Sequence, residues 1–259
     1  MGKIRCNVAI RTDIGTRDEQ QDAVETYAER GALAAVICDG MGGMSGGSLA
    51  SQVASKEMIE IIKKRDEAES IPELFLRSVD ILDEKVSSII DSDGKKMNAG
   101  TTIVSVFIKK NRLYWMSVGD SRLYICRGND MLQATRDHNY FLSLSTQNDE
   151  YEPLEEELEK GAALISFIGM GGIEIMDIST NPFELRGGDK LLLTTDGLFK
   201  ALSDDQICKI LSDYTAEKIS VVADKLLEAA VNAAPDMRDN ISFVLIQTDI
   251  QEEKNNETD

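Results

Sequence analysis

Aspartates stand next to several strand-like segments of this 259-residue sequence. Two apolar runs, at residues 34–38 and 191–195, each lead directly into Asp-Gly. An isolated Asp-Gly usually marks a turn, because Asp caps its own backbone and Gly supplies a positive φ. Here five aspartates share the position beside a predicted strand, namely Asp22, Asp39, Asp120, Asp196 and Asp239. Such a set is better explained by strand ends that converge on one crevice.

A convergent set of carboxylates predicts a metal centre. Five negative charges a few ångströms apart cannot all stay ionised without compensation. Hard divalent cations with oxygen ligands supply that compensation. The chain has a single histidine, His138, so a His-rich site is excluded, and Mg²⁺ or Mn²⁺ suits an all-carboxylate site best.

A glycine-rich run, GMGGMSGG, occupies residues 40–47 directly after Asp39. A phosphate-loop interpretation fails, because the Walker A spacing is followed by Ser48 without a lysine. The pattern GxGxxG fails as well, because Ser45 occupies the third glycine position. The glycines instead indicate a backbone that passes close to the metals and enters a helix without side-chain obstruction. The carbonyl of Gly40 is then available as a ligand.

The elements that carry these groups come in alternating blocks of strands and helices. Helices are predicted after the glycine run with Ser48 as cap, after Pro72, and at 204–212 and 216–233. Alternation and β-branched residues predict strands at 6–11, 22–28, 32–38, a meander of four within 101–133, 191–195 and 241–247. This order favours the α+β class, with antiparallel sheets covered by helices on their outer faces.

The composition excludes several classes of protein. Lysine and arginine number 28 against 46 acidic residues, and the net charge of -18 argues against nucleic-acid binding. The longest apolar stretches are strand-sized and no signal-peptide core is present, so a cytoplasmic protein without a membrane partner is expected. The four cysteines form no CxxC pair, which disfavours a zinc ribbon or a disulfide framework.

The motifs together resemble the PP2C family of metal-dependent protein serine/threonine phosphatases, over residues 8–247. In chain order they are Gly15 through Arg17 to Gln21-Asp22-Ala23, CDGMGG at 38–43 with Ala50-Ser51, Gly100-Thr101-Thr102, VGDSRLY at 118–124, TRDH at 135–138, GDKLLLTTDGL at 188–198 and RDNIS at 238–242.

The resemblance implies a four-layer αββα sandwich, in which two antiparallel β-sheets are flanked by helices. It implies one phosphatase domain at residues 1–248, with a variable flap at 139–172. Within that flap, the acidic residues 147–160 are expected to be mobile, and either steer substrates or are simply solvated, the second being preferred. An acidic, disordered tail is expected at 249–259.

The resemblance also implies roles for single residues. Asp39 matches the carboxylate that bridges two Mn²⁺ or Mg²⁺ ions, and Gly40 a carbonyl ligand. The pair of ions is completed by Asp22, Asp196 and Asp239. Asp120, together with Asp196, resembles the third-metal site of bacterial-type members.

Arg17 matches the family arginine that holds the substrate phosphate, a role that suits its planar, two-pronged donors. The mechanism implied is in-line attack on phosphorus by a metal-activated water, without a phospho-enzyme. Two residues depart from the eukaryotic pattern: Gln21 replaces Glu, and Met41 replaces a histidine proposed as general acid. Methionine cannot donate a proton, so the leaving group must be protonated by water, by the water of a third metal ion, or by no specific group. His138, in the TRDH motif, is expected to be structural.

The resulting hypothesis is a monomeric, cytoplasmic, metal-dependent phosphatase that acts on phosphoserine and phosphothreonine in proteins and opposes a serine/threonine kinase. The alternative is a catalytically silent module of the same fold that binds a regulatory partner or a phosphopeptide. The presence of all five expected aspartates favours the enzyme, since a silent module has no need to keep them.

Overall fold

Twelve strands and six helices make up the part of the chain that the computed structural model describes, which is residues 3–29, 31–42, 46–145, 161, 163–214, 217–233, 235 and 238–251. The strands are β1 (Lys3–Asp13), β2 (Asp22–Glu29), β3 (Ala32–Met41), β4 (Gly100–Thr101), β5 (Ile103–Lys109), β6 (Arg112–Val118), β7 (Arg122–Arg127), β8 (Asp130–Gln133), β9 (Asp177–Ile178), β10 (Phe183–Glu184), β11 (Lys190–Thr194) and β12 (Ile241–Gln251). The helices are α1 (Gly46–Lys63), α2 (Ile71–Ser87), α3 (Tyr140–Ser145), α4 (Asp196–Ala201), α5 (Asp204–Asp213) and α6 (Ile219–Ala233).

The strands form two antiparallel sheets. One, the five-stranded sheet, has the order β1-β12-β11-β7-β8. The other, the seven-stranded sheet, has the order β10-β6-β5-β3-β2, with β4 added to β3 and β9 to β6. The predicted α+β class with antiparallel sheets is therefore confirmed. No described helix combines the length and the apolar character needed to span a bilayer.

Side-chain alternation along β3 explains the layers. Ala34, Val36 and Cys38 face α1 and α2, whereas Ala35 and Ile37 face the five-stranded sheet. Since both faces of β3 are buried, its sequence is a continuous apolar run rather than an alternating one. A third apolar cluster packs α4, α5 and α6 on the outer face of the five-stranded sheet. The four layers are thus helix, sheet, sheet and helix, as the predicted sandwich requires.

The helix after the glycine run begins earlier than the sequence indicates. Helix α1 starts at Gly46, so Ser48 lies inside the first turn and is not the cap; its hydroxyl accepts a hydrogen bond from Gln52. The glycines permit this, since a Cβ at Gly47 would lie 2.9 Å from the carbonyl carbon of Gly40. Helix α2 begins as predicted, with Pro72 in its first turn and Ser70 as its cap.

The predicted meander is wrong in one pairing, that of β6 with β7, although its breaks are correctly placed. Strands β5 and β6 pair in the seven-stranded sheet, whereas β7 and β8 pair in the five-stranded sheet. The chain crosses between the sheets at Gly119, whose φ of 104° is open to glycine and rarely to other residues. A single turn thereby connects the two layers.

Two predicted segments fall partly outside the described residues. Strand β12 reaches Gln251, so residues 249–251 pair with β1, and residues 252–259 of the predicted tail lie outside the described residues. In the predicted flap, residues 146–160 and 162 also lie outside them, including the acidic cluster. The division into one domain with a flap and a tail remains a prediction.

Candidate metal and phosphate site

The five predicted aspartates lie at neighbouring strand ends that come from both sheets. Asp22 opens β2 and is directly opposite Asp39 near the end of β3, in the seven-stranded sheet. In the five-stranded sheet, Asp196 follows β11 and Asp239 precedes the adjacent β12. Asp120 lies in the turn where β6 crosses to β7. The chain thus brings carboxylates from two layers to one end of the sandwich.

Threonines hold two of these aspartates in place. The Asp39 backbone N–H donates to Thr102 Oγ1 at 3.0 Å, and its carbonyl accepts from the Thr102 N–H at 2.8 Å and from Thr101 Oγ1 at 2.9 Å. Across the sheets, Thr195 Oγ1 donates to Asp22 Oδ2 at 2.9 Å. Because these hydroxyls are buried, the Asp39 backbone and the Asp22 carboxylate are held in place before any ligand binds.

Glycines allow the close backbone packing at this end of the sandwich. A Cβ at Gly40 would lie 2.1 Å from the Gly47 carbonyl oxygen, and one at Gly197 equally close to the Asn240 carbonyl oxygen. The Gly40 N–H also donates to the Gln21 carbonyl at 3.1 Å. The Asp-Gly pairs are therefore close-approach positions and not merely turn signals.

An open cavity of about 560 Å³ contains most of the predicted site. It is lined by Arg17, Asp18, Glu19, Gln21, Asp39, Gly40, Met41, Gly42, Asp196, Asp239 and Asn240. Asp22 and Asp120 are not in its lining, although their charges act on Asp39. A second cavity of about 410 Å³ adjoins the first, shares Arg17 and Asp239 with it, and is also lined by Lys200 and Arg238.

Burial and mutual repulsion make ionisation of the inner carboxylates costly. For Asp39, burial and then the charges of its four acidic neighbours raise the pKa well above its usual range. Burial also raises the pKa of Asp22 to about 7, and the hydrogen bond from Thr195 opposes this rise. Burial followed by the Asp196 charge raises the pKa of Asp120 to about 6. A nearby cation would favour the charged form of every one of them.

Two cationic side chains already contact the outer carboxylates. The Arg17 guanidinium grips Asp239 in a bidentate manner, with Nε and Nη2 each 3.0 Å from a carboxylate oxygen. Lys200 Nζ contacts Asp196 and lies 3.3 Å from Asp239. Burial by itself would raise the pKa of Asp239, but Lys200 and Arg17 help to hold it below its usual value. The sequence interpretation missed Lys200, although its spacing of four residues from Asp196 on a helix was a usable signal.

Comparison with known proteins agrees with this geometry. The family model described as "Protein phosphatase 2C" matches residues 12–233, which is most of the chain. The chain belongs to the protein phosphatase 2C family. Membership confirms the predicted class of enzyme, a metal-dependent protein serine/threonine phosphatase, and nothing in the comparisons favours the silent module.

Curated bacterial relatives of this PP2C chain are phosphatases. It is 28% identical over 246 residues to "Protein phosphatase PhpP" of Streptococcus pneumoniae, covering 92% of this chain and 96% of the relative. It is 28% identical over 241 residues to "Serine/threonine protein phosphatase PstP" of Mycobacterium tuberculosis, covering 92% of this chain and 44% of that longer protein.

Solved structures confirm the PP2C fold. The serine/threonine phosphatase of S. agalactiae has a TM-score of 0.80 and 25% identity, with 94% of this chain and 99% of that chain covered. The catalytic domain of PstP, in a complex with two manganese ions, has a TM-score of 0.74 and 24% identity, with 95% and 99% covered.

The departures from the eukaryotic PP2C pattern take defined places. Gln21 and Met41 both line the larger cavity. Gln21 is held by its backbone N–H, which donates to Asn240 Oδ1 at 2.8 Å, so its amide stays beside the site.

His138 is fully buried, accepts from the Gly119 N–H at Nδ1 and lies outside both cavity linings. It braces the turn that carries Asp120, in agreement with the predicted structural role.

Proposed function

We propose that this PP2C phosphatase hydrolyses phosphoserine and phosphothreonine in proteins by using two divalent cations, Mn²⁺ or Mg²⁺, held by the aspartate cluster. The observation that carries the proposal is the buried set of carboxylates from both sheets, where Asp22 Oδ1 and Asp196 Oδ1 have no hydrogen-bond partner. Buried carboxylate oxygens without partners are costly, and a cation is the group that suits them.

The donor set fits the proposed ions. It consists of oxygens alone, which selects hard cations over the metals that prefer thiolate or imidazole. The charges of the other four aspartates all act on Asp39, which would hold both ions. The other residues that would hold them are Asp22, Asp196, Asp239 and the Gly40 carbonyl, with Asp120 beside them.

Among the described residues, no three His, Cys, Asp or Glu side chains close on a common point. This arrangement is compatible with Mg²⁺-like ions, which keep several waters and need one or two carboxylates each.

The residues of the chain divide the work of hydrolysis. Bound divalent cations would lower the pKa of a water and neutralise phosphate oxygens. Arg17, which is 60% exposed at the junction of the two cavities, grips two phosphate oxygens and orients the phosphorus. The Gln21 amide orients a water by hydrogen bonding, whereas Met41 supplies no proton to the leaving group.

The proposed substrates are proteins that a serine/threonine kinase has phosphorylated, so that the phosphatase opposes this kinase. An open cavity that adjoins a second cavity is compatible with a protein side chain as substrate. We further propose a monomer that works in the cytoplasm, without nucleic-acid or membrane partners, as the net charge of -18 favours.

The test is hydrolysis of an aryl phosphate and of a phosphoserine peptide, with Mn²⁺ and then with a chelator. We expect turnover with Mn²⁺ on both substrates, none with the chelator, and loss of at least about 10³-fold in Asp39→Asn. Asp80→Asn, an exposed aspartate on α2, is the matched control and should keep full activity. Full activity of Asp39→Asn, or turnover that ignores the chelator, would sink the proposal.

A further inference from the structure

We propose that Lys200 is a built-in cation of the metal centre, whose ammonium takes the place beside Asp196 that a third divalent ion would need, so that this chain binds two ions. The inference rests on the proposed function, because it assumes that the aspartate cluster binds divalent cations. It concerns the side of the cluster at which Asp120 and Asp196 resemble a third-metal site.

The geometry of α4 brings Lys200 to this position. Asp196 begins the helix and Lys200 follows four residues later, so both side chains lie on one face. The ammonium contacts Asp196 Oδ2 and is 3.3 Å from Asp239 Oδ2. One nitrogen therefore joins carboxylates from the end of β11 and the start of β12, as a bridging metal ion would.

The field of Lys200 extends to a third carboxylate. The charges of Asp196 and Lys200 both act on Asp120, with opposite signs. The same ammonium pairs with Asp196 and Asp239. Arg17 acts on Asp196 and Asp239 as well, but its guanidinium is engaged with Asp239 on the substrate side. Lys200 is thus a tethered charge shared by Asp196, Asp239 and Asp120, and it acts on both residues of the predicted third site, Asp120 and Asp196.

Counting charges gives the number of ions. The five aspartates carry five negative charges, of which two divalent ions neutralise four and the Lys200 ammonium the fifth. Arg17 is then not needed to balance the aspartates, so its guanidinium can leave Asp239 for the phosphate when substrate binds. A third divalent ion would make the cluster positive and would lie a few ångströms from an ammonium, where repulsion is strong in a partly buried site.

The experiment counts bound Mn²⁺ in the full chain by isothermal titration calorimetry and by equilibrium dialysis. Its variants are Lys200→Met, which removes the charge, Lys200→Arg, which keeps it, and Lys200→Asp, which adds a carboxylate. The matched control is Lys64→Met, since Lys64 is an exposed lysine that pairs with one carboxylate, Glu60, away from the site.

We expect two ions in the wild type, Lys200→Arg and Lys64→Met, and three in Lys200→Asp. In Lys200→Met the two ions should bind at least about tenfold more tightly, the change expected for removing one unit charge a few ångströms from a divalent ion. A wild type that binds three ions overturns the inference. So do Lys200→Met and Lys200→Asp variants with wild-type number and affinity.

The two proposals fail in different ways. If the wild type and Lys64→Met bind no Mn²⁺, the proposed function fails and takes this inference with it. If both bind Mn²⁺ and the Lys200 variants do not differ from them, this inference alone fails. Should Lys200→Asp not fold without metal, circular dichroism will show it, and Lys200→Met and Lys200→Arg still decide the question by their affinities.

Discussion

At Asp39, burial and the charges of neighbouring carboxylates act in the same direction. The side chain is opposite Asp22 across β2 and β3, and the charges of Asp196, Asp120 and Asp239 reach it from the other elements. Without a bound cation, the ionised form of this residue opposes folding. With a cation, the same carboxylate is favourable. One residue therefore carries opposite contributions to stability in the two states.

Asp39→Asn should accordingly raise the melting temperature of the chelated protein at pH 8 and remove the increase caused by Mn²⁺. If removing this buried charge adds about 1 kcal/mol to the free energy of unfolding, the melting temperature should rise by about 3 °C for a chain of this size. Scanning fluorimetry with chelator and with Mn²⁺ measures both effects. Asp80→Asn should shift neither melting temperature. A chelated Asp39→Asn that melts below the wild type would contradict the repulsion.

Arg17 is exposed and pairs with Asp239, so its loss should spare the fold. In Arg17→Ala we expect KM for a phosphopeptide to rise about 10- to 100-fold, the equivalent of one or two charge-assisted hydrogen bonds. Arg17→Lys, which keeps the charge but not the two-pronged donor, should lie between this variant and the wild type. Steady-state kinetics and Mn²⁺ titration measure the effects. Loss of Mn²⁺ binding in Arg17→Ala would show that its role lies with the metals.

Among the elements, the short strand β9 has a structural task away from the cavity. It pairs with β6 through Asp177 and Ser117. The Asp177 carboxylate accepts from the Arg136 backbone N–H at 2.8 Å and lies 3.7 Å from His138 Nε2. Because His138 in turn binds the Gly119 N–H, β9 supports the crossing turn that carries Asp120. The position of a site residue thus depends on an element remote in sequence.

This arrangement predicts a pH-dependent stability. Burial would raise the pKa of Asp177, but His138 and Arg136 outweigh it and hold that pKa well below its usual range. A lowered folded pKa gives stability that is present above about pH 4, the unfolded value, and is lost as pH falls toward the folded value. In urea unfolding from pH 7 to pH 3, Asp177→Asn should be less stable at pH 7 and lose less on acidification. A parallel acid limb in variant and wild type would refute this.

The elements also show how far the sequence could be interpreted. The strand ends and their aspartates were predictable, because an apolar run followed by Asp-Gly is a local signal. The pairing of β6 and β7 was not, since the break at Gly119-Asp120 has the same sequence whether the chain turns within a sheet or crosses to another. The start of α1 was misplaced because Ser48 is a good cap, whereas the helix already includes Gly46 and Gly47, the second of which packs closely on Gly40. Lys200 was missed despite its spacing of four residues from Asp196, because its other partner, Asp239, is remote in sequence and meets it only in the folded chain.

At the scale of the whole molecule, the candidate site closes one end of the sandwich. The contacts between elements at this end include Thr195 with Asp22, the Gln21 backbone with Asn240, and Arg17 with Asp239. The opposite end of the β2–β3 pair, at Ala28 and Leu33, has no part in the site. A cation that binds carboxylates of both sheets would add a further link at one end only. Metal binding should therefore stabilise the sandwich from that end.

Hydrogen exchange with and without Mn²⁺ can measure this asymmetry. At a concentration of about 100 times Kd, binding should add about 2.7 kcal/mol to the free energy of unfolding. We expect protection to increase at the starts of β2 and β12 and at the ends of β3 and β11, with little change near Ala28 and Leu33 beyond the global term. Asp39→Asn should lose the increase in both sheets together. Protection confined to one sheet would mean that the cations do not join the two layers, and that the aspartates of the other sheet serve a different purpose.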